Sequence, residues 1–376
     1  MKSIPYGRQS IDEADIAAVV SALKGEFLTT GPLVEQFEDK LQQFIGAPSV
    51  VVSSGTAALH CAYAAIDLKP GDEVITTPMT FIATQATAAL LGAKIVFADI
   101  QKDTGNINPD AVAAAITNKT KAIVAVDYAG HPADLDELRA IADYHKIYLI
   151  EDAAHSIGST YKGRQIGSIS DITTFSFFPT KNLTTAEGGA VVSTHPDLLM
   201  RAKRFARQGL IKNRQDFKIL DQGPWHQEVH EFGLNYRLPD ILCALGISQL
   251  SRLDKFKTKR SEIYVTYNKL LANVSEIRTP VLREYVSPMW HLYHIHIDKE
   301  LREALYNFLR ERQILVQVNY FPAHLHPVFR NMNYKSGDLR ESEEFYNTQV
   351  SLPMHVNLNY NQLEFIAGTI TDFINT

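Results

Sequence analysis

Between residues 49 and 195 the chain alternates short β-branched runs with stretches of helical periodicity, and this alternation limits the fold more than any other feature. Such alternation is typical of a sheet that helices cover on both faces. The helical stretches are long enough to be crossovers between parallel strands. The sequence therefore predicts an α/β fold with a large, mostly parallel central sheet. The predicted strands are SVVVS, EVITTP, KIVFAD, KAIVAVD, IYLIED, ITTFSF and AVVST.

The pattern changes after Pro239, where longer amphipathic helices begin and a strand-like HLYHIHI segment follows them. We therefore expect a large domain over residues 1–250 and a smaller C-terminal α/β domain over residues 251–376. The N-terminal helix DEADIAAVVSALKG can pack on either domain, including the small one. The predicted helices beyond it are 56–66, 81–91, 110–116, 134–144, 239–251, 254–271, 301–312 and 361–374.

The charge balance narrows the classes of partner. The chain has 37 Lys and Arg against 42 Asp and Glu, a formal net charge of -5, which offers no basic field for nucleic acid or an anionic membrane. No segment approaches the roughly 18 apolar residues of a membrane span, and MKSIPYGRQS lacks the apolar core of a signal peptide. Cys61 and Cys243 lie in apolar helical patterns and are expected to be buried free thiols rather than a disulfide or metal site. We therefore expect a cytoplasmic protein that acts on small molecules.

Lys181 is the first candidate for chemistry, because in FFPTKNLTTAEGGAVV it follows a predicted strand and precedes a Gly-Gly pair. A solvated surface lysine is the ordinary interpretation of such a residue. An amine with the usual pKa of about 10.4 needs burial or an electropositive setting before it can form a Schiff base. The aromatic and glycine-rich flanks can supply that burial.

Two polar residues follow the predicted strand IYLIED. Asp152 lies 29 residues before Lys181, at the strand's end, and His155 follows within one helical turn. Carboxylates at the C-terminal ends of parallel strands face a ligand crevice, and an aspartate paired with a pyridine nitrogen is part of pyridoxal phosphate (PLP) sites. His155 can hydrogen-bond the phenolic oxygen of that ring. The alternative is that Asp152 caps the next helix and that His155 is an ordinary polar residue.

A phosphate cradle is a second candidate feature. In VVSSGTAALH, residues 53–56 join a strand to a helix, so that backbone N–H groups, Gly55 and the Thr56 hydroxyl can surround a phosphate. An ordinary helix cap would look the same. Ser176, just before the lysine, is a further phosphate ligand candidate, and Phe81 can stack on a cofactor ring unless it is a core residue.

Taken together and in this order, these residues resemble the DegT/DnrJ/EryC/StrS family of sugar aminotransferases, which are PLP enzymes of fold type I. The resemblance covers nearly the whole chain and implies the aspartate aminotransferase-like fold, an enzyme, and PLP as cofactor. The matching segments are IPY, TTGP, SGTAAL, TPMTFIAT, EDAAH, the SFFPTK strand, EGG and the segment from Gly233 to Leu250.

The resemblance also implies roles for single residues. Lys181 would hold PLP as a Schiff base and move the proton between Cα and C4′, as the catalytic residue. Asp152 would pair with the pyridine nitrogen and His155 would lie near the phenolic oxygen. The residues implied at the phosphate are Gly55, Thr56 and Ser176.

Asn235 matches an asparagine that reaches the phosphate from the neighbouring subunit, which implies a homodimer with shared active sites. Within the family, the likeness is strongest to enzymes of pseudaminic acid biosynthesis, which aminate the C4 keto group of a UDP-linked 4-keto-6-deoxy-N-acetyl sugar with L-glutamate as donor. The stretches that carry it are KAIVAVDYAGHPADLDEL, TTAEGGAVV and QVNYFPAHLHPVF. Asn319 departs from the family, which usually has histidine there. The implied substrate contacts are Tyr6, Glu26, Phe27, Leu28, Thr29, Gly55, Ser176, Asn235, Gln317, Val318, Asn319 and Tyr320.

Other readings of the chain stay open at this stage. A Rossmann-type nucleotide-sugar oxidoreductase shares the strand pattern, but SSGTAAL is not the Gly-x-Gly-x-x-Gly turn it needs. A PLP-binding regulator without turnover is another candidate, although such proteins carry an added DNA-binding domain. A different keto sugar, of the bacillosamine, perosamine or aminoarabinose type, is also compatible. Arg207, Arg214 and Arg237 are all available for a substrate carboxylate or diphosphate.

Overall fold

The alternation of strands and helices forms a central sheet in the structure, a computed structural model that describes residues 3–219 and 222–376. Every strand predicted from the sequence is present. The strands are β1 (Ser49–Val52), β2 (Glu73–Thr76), β3 (Lys94–Phe97), β4 (Thr120–Val126), β5 (Tyr148–Asp152), β6 (Thr160–Tyr161), β7 (Arg164–Gln165), β8 (Ile172–Ser176), β9 (Gly189–Val192), β10 (Leu210–Ile211), β11 (Glu228–Val229), β12 (Val286–Ser287), β13 (Tyr293–His296) and β14 (Gln349–Leu352).

Helices cover the sheet and form most of the C-terminal part of the chain. The predicted helices are also present, with ends that differ by at most two residues. The helices are α1 (Glu13–Leu23), α2 (Pro32–Ile45), α3 (Gly55–Ala65), α4 (Ala83–Leu90), α5 (Pro109–Ala115), α6 (Leu135–His145), α7 (Pro196–Phe205), α8 (Asp240–Leu250), α9 (Leu253–Leu271), α10 (Lys299–Glu311), α11 (Pro327–Arg330), α12 (Arg340–Thr348) and α13 (Tyr360–Ile374).

Seven strands of the described residues form the central sheet, in the order β1-β9-β8-β5-β4-β2-β3. The run from β8 to β3 is parallel throughout, which confirms the mostly parallel sheet. β9 runs antiparallel to both of its neighbours. This reversal was not predicted, because a short apolar run looks the same in either direction. The parallel pairing brings the C-terminal ends of β5 and β8 side by side, where ligands bind in such sheets.

Helix α2 is not among the helices predicted from the sequence. The helix begins after Gly31 with Pro32 at its first position, a favoured arrangement. Its free N-terminal N–H groups find a distant partner, since the Asp240 carboxylate accepts from Gly31 at 2.8 Å and from Leu33 at 3.0 Å. Because the capping residue lies about 200 positions away in the chain, the sequence next to α2 does not show where the helix begins.

The N-terminal helix α1 packs on α8, at the end of the predicted large domain. Buried Asp15 fixes this placement, because its carboxylate accepts from Gln249 at 2.6 Å and from Arg252. A buried carboxylate needs such partners to offset its lost hydration. The helix is therefore held against the junction between α8 and α9.

The C-terminal region has an apolar cluster of its own, built from α9, α10, α13 and the antiparallel pair β13–β14. The chain's start joins it, since Ile4 lies in this cluster and forms a parallel bridge with Ile314. Other C-terminal residues, among them Ala323 and Phe329, pack into a cluster of the central sheet. The division at residue 250 stays a prediction.

Cys61 and Cys243 are buried and unpaired, as expected. Among the helices of the described residues, none combines the length and the apolar character that crossing a bilayer requires.

Candidate active site

Lys181 lies in the loop that connects β8 to the antiparallel strand β9, as the sequence predicted. Its backbone N–H donates to Phe178 O at 2.9 Å, which closes a turn and directs the side chain to the C-terminal ends of the parallel strands. The side chain is partly buried and lines a cavity of about 430 Å³. Burial lowers the pKa of Lys181 to about 8, against the charge of Asp152, which raises it. A surface lysine would show no such shift, so the ordinary interpretation does not hold.

We expect Lys181 in the protein without cofactor to lose its proton and become a free amine as the pH rises through about 8, well below the value for an ordinary lysine. Competitive acetylation followed by peptide mapping measures this directly. Lys162, whose pKa is raised by its hydrogen bond to Asp136, is the internal comparison. Asp152→Asn should move the Lys181 midpoint lower still, because it removes the charge that favours the ammonium. A midpoint for Lys181 at or above that of Lys162 would contradict the burial argument.

Asp152 ends β5 and is buried at the bottom of the same cavity. Its Oδ2 accepts from the Thr84 hydroxyl at 2.7 Å and its Oδ1 from the Ala154 N–H at 3.2 Å. Burial raises the pKa of Asp152, while these hydrogen bonds and the Lys181 charge lower it. Residues 154–158 form turns and not a helix, so the helix-cap interpretation of Asp152 is wrong.

His155 is buried beside Asp152 and packs against His291, with ring centroids 4.2 Å apart and the rings tilted by 32°. Its Nε2 lies 3.3 Å from the Tyr320 hydroxyl, while its Nδ1 is buried and has no hydrogen-bond partner among the described residues. Burial and the Lys181 charge hold the pKa of His155 well below its usual value. The ring is therefore neutral at neutral pH, and it keeps one nitrogen as a donor and one as an acceptor.

The strand-to-helix turn before α3 has the form of an anion cradle. Ser54 caps the helix by accepting from the Ala57 N–H at 3.0 Å, which leaves the N–H groups of Gly55 and Thr56 without an intrahelical partner. A Cβ at Gly55 would lie 2.7 Å from the Cβ of Ser176, so only glycine allows this approach. The cap and the cradle are therefore both present, and Gly55, Thr56 and Ser176 line the cavity together.

Phe81 is 59% exposed and lines the cavity opposite the sheet. The alternative that it is a core residue is therefore wrong. Its ring lies 6.3 Å from that of Tyr320, so two aromatic rings flank the same opening. An exposed phenylalanine beside a cleft is a stacking surface for a flat ligand.

The structure brings together ten of the residues singled out in the sequence. They are Tyr6, Gly55, Thr56, Phe81, Asp152, His155, Ser176, Lys181, Asn319 and Tyr320. The others lie away from this cavity in the single chain: Glu26, Phe27, Leu28, Thr29, Asn235, Gln317 and Val318. Asn235 forms a bridge with Arg207 instead. Arg207 and Arg237 line a separate cavity of about 840 Å³, and Arg214 lines neither.

Thr84 and His291 belong to the site and were not found from the sequence. Thr84 holds the carboxylate of Asp152 from α4, and His291 packs on His155 from the segment before β13. Both contacts join residues more than 60 positions apart, so the local sequence pattern does not predict them. The only signal was a threonine and a histidine inside otherwise apolar stretches.

Comparison with known proteins agrees with this geometry. The sequence model of the DegT/DnrJ/EryC1/StrS aminotransferase family matches residues 9–371. A UDP-4-amino-4,6-dideoxy-N-acetyl-β-L-altrosamine transaminase of Campylobacter jejuni is 38% identical over 98% of this chain and 96% of its own length. The structure of Helicobacter pylori PseC, an aminotransferase involved in the biosynthesis of pseudaminic acid, superimposes with a TM-score of 0.93 at 32% identity, covering 100% of both chains. The PLP form of a putative sugar aminotransferase from Streptococcus pneumoniae gives a TM-score of 0.92 at 29% identity over 99% of each chain.

Proposed function

The chain belongs to the DegT/DnrJ/EryC1/StrS aminotransferase family, and on that premise we propose that it transfers the amino group of L-glutamate to a keto sugar with PLP as cofactor. The proposed acceptor is a UDP-4-keto-6-deoxy-N-acetylhexosamine, which is aminated at C4. The product is then UDP-4-amino-4,6-dideoxy-N-acetyl-β-L-altrosamine, a precursor of pseudaminic acid. The names of the Campylobacter and Helicobacter relatives support this choice of sugar.

The observation that carries the proposal is that Lys181 and Asp152 face one cavity whose far wall is the Gly55 cradle. PLP has three features to be matched: an aldehyde carbon, a pyridine nitrogen and a phosphate. The aldehyde carbon is matched by a lysine of lowered pKa, and the pyridine nitrogen by a buried carboxylate. The phosphate is matched by a pair of free helix N–H groups. The unpartnered nitrogen of buried His155 leaves a hydrogen bond for the ring's phenolic oxygen. The residues present therefore fit the cofactor.

Each residue has a proposed role toward the bound group. Lys181 binds PLP covalently through Nζ, and Asp152 pairs with the pyridine nitrogen. When bound, PLP supplies the electron sink that makes the Cα proton of an amine acidic. The phosphate is held by Gly55, Thr56 and Ser176, and Phe81 covers the ring.

Lys181 also moves the proton. Its Nζ, released as an amine, would take the proton from Cα of the donor and deliver it to C4′ of the cofactor, on the other side of the amine nitrogen. A pKa of about 8 suits this task, because both protonation states are populated near neutral pH. Asp152 keeps the ring nitrogen protonated, and neutral His155 orients the phenolic oxygen. Glutamate and the sugar then react in turn, which gives ping-pong kinetics.

We expect Gly55→Ala to weaken the affinity for PLP by at least about tenfold, because the new Cβ would collide with Ser176 and move the cradle. Titration of the cofactor-free protein with PLP, followed by absorbance, measures this. Gly368→Ala is the matched control, since a Cβ there meets nothing within 4 Å. If the two variants bind PLP with equal affinity, the turn at Gly55 does not hold the phosphate.

A homodimer with shared active sites forms part of the proposal. Its support is that Asn235 and residues 26–29 lie outside the cavity of their own chain, while Phe27 and Leu28 are 49% and 51% exposed. These residues would complete the site of the neighbouring subunit. Sedimentation of the cofactor-bound enzyme as a monomer would contradict this.

We further propose a cytoplasmic location, which cell fractionation would test.

The sugar is the part of the proposal that most needs an experiment. The purified protein, loaded with PLP, is offered glutamate and a panel of nucleotide-linked keto sugars, and the aminated products are identified. Amination of the UDP-linked L-arabino 4-keto sugar alone supports the pseudaminic acid assignment. Exclusive use of the D-xylo isomer, or of a perosamine-type or aminoarabinose-type precursor, would replace it. A protein that binds PLP but leaves its absorbance unchanged with glutamate would be a regulator.

A further inference from the structure

Asn319 is held at three points where it enters the cavity. Its Oδ1 accepts from the Tyr6 hydroxyl at 2.9 Å and its backbone N–H donates to the Oε1 of Gln349 at 3.0 Å. Its carbonyl oxygen accepts from the Tyr128 hydroxyl at 2.5 Å. These three bonds do not use the side-chain amide nitrogen, Nδ2, which has the Tyr320 hydroxyl beside it in the cavity. We call Tyr6, Tyr128 and Gln349 the Asn319 clamp.

The hydrogen bonds of Gln349 determine which way its side-chain amide is oriented in the clamp. A backbone N–H can only donate, so the Oε1 of Gln349 must face Asn319. Its Nε2 then points to the Ser351 hydroxyl at 2.6 Å and to the Tyr128 hydroxyl at 3.4 Å. The side chain is fully buried and all of these groups are satisfied within the protein. Removing it would leave buried donors and acceptors without partners, which is costly.

The clamp is anchored in the fold and not in a mobile loop. Gln349 and Ser351 belong to β14, which also pairs with Gln317 through two backbone hydrogen bonds of 3.1 and 2.7 Å. Tyr128 is buried against the rings of His294 and Phe345, 5.4 Å away in each case. The Asn319 peptide is therefore held between the C-terminal strand pair and the end of β4.

We propose that Gln349 and Tyr128 are positioning residues, which hold Asn319 so that its Nδ2 donates a hydrogen bond to an acceptor oxygen of the keto sugar. This rests on the proposed function. A fixed N–H donor favours a sugar that places a hydroxyl, carbonyl or acetamido oxygen at this point. It disfavours one that places a donor or a methyl group there. An asparagine also keeps its donor at every pH, unlike the histidine usual at this position.

The two half-reactions of the PLP-loaded enzyme separate sugar recognition from the rest of the chemistry. We expect Asn319→Asp, which keeps the shape but reverses the polarity, to lower kcat/KM for the accepted keto sugar by about 100-fold. Gln349→Met should raise KM for the same sugar by about tenfold, with kcat within about threefold, because the chemistry is untouched. Gln349→Glu keeps the oxygen that holds the Asn319 N–H and should recover much of this loss. The half-reaction with glutamate should stay within about twofold in the two Gln349 variants, and Asn319→Asp should slow it far less than the half-reaction with the sugar.

Thermal melting of each variant checks that it is folded. If a folded Gln349→Met enzyme keeps the wild-type KM for the sugar, the positioning role is wrong. If Asn319→Asp slows the glutamate and sugar half-reactions equally, Asn319 is not a sugar donor. A wild-type enzyme that reacts with glutamate but with no keto sugar would overturn the proposed substrate first, and this inference with it. If the wild-type enzyme aminates a keto sugar and the variants do so with unchanged kinetic constants, the inference is wrong while the proposed function stands.

Discussion

Lys181→Ala should reduce the overall transamination rate by at least about 10⁴-fold, because it removes both the covalent attachment point and the group that moves the Cα proton. The loss should appear in kcat for glutamate and for the sugar alike. PLP should still enter the cavity, since Asp152 and the Gly55 cradle remain, but it would be released on gel filtration. Steady-state kinetics and the absorbance of the protein fraction measure the two effects.

Reduction with borohydride identifies the attachment site independently of activity. In the wild-type protein the phosphopyridoxyl mass should map to the peptide that contains Lys181, and in the variant it should be absent. Lys162→Ala, which removes a surface lysine paired with Asp136, is the matched control and should behave as wild type. Labelling of any other lysine in the wild-type protein would require a different scheme.

Asp152→Asn is expected to lower kcat by about 10³-fold, because it removes the negative charge opposite the ring nitrogen while the side-chain shape is kept. The Thr84 hydroxyl can still donate to the remaining oxygen, so the geometry around α4 should not change. The enzyme should therefore melt near the wild-type temperature and still bind PLP. Single-turnover measurement of the glutamate half-reaction reports the loss directly.

Asp136→Asn is the control for a carboxylate of the protein surface, since Asp136 pairs with Lys162 and Arg164 far from the cavity chemistry. It should leave kcat unchanged. A folded Asp152→Asn enzyme within tenfold of wild type would show that the carboxylate does not act on the ring nitrogen. In that case Asp152 would be a structural partner of Thr84 and Ala154 only.

The central sheet was predictable because each strand is a short apolar run with its own local signal. The same holds for Asp152, His155, Ser176 and Lys181, whose positions follow from the ends of two such strands. Neighbouring parallel strands have their C-terminal ends side by side, so the order of strands in the sequence already predicts which residues line much of the cavity. The cradle at Gly55 was visible for the same reason.

Features that depend on distant partners could not be predicted. The cap of α2 comes from Asp240, and the placement of α1 comes from Asp15 with Gln249 and Arg252. The antiparallel direction of β9 depends on which neighbours it meets. Within the site, Thr84 and His291 reach their partners from other elements, as does Gln349 in the clamp. Sequence spacing carries no information on such contacts.

The bond between Tyr6 and Asn319 spans 313 positions of the chain. A ribosome must therefore complete almost the whole polypeptide before the wall of the cavity can close, and Gln349 of the clamp emerges later still. The sheet with Lys181 and Asp152 can fold earlier, since domains form from the N-terminus during synthesis. His291 and Tyr320, which line the same cavity, also follow residue 250. The last third of the protein thereby sets when the cavity can be completed during biogenesis.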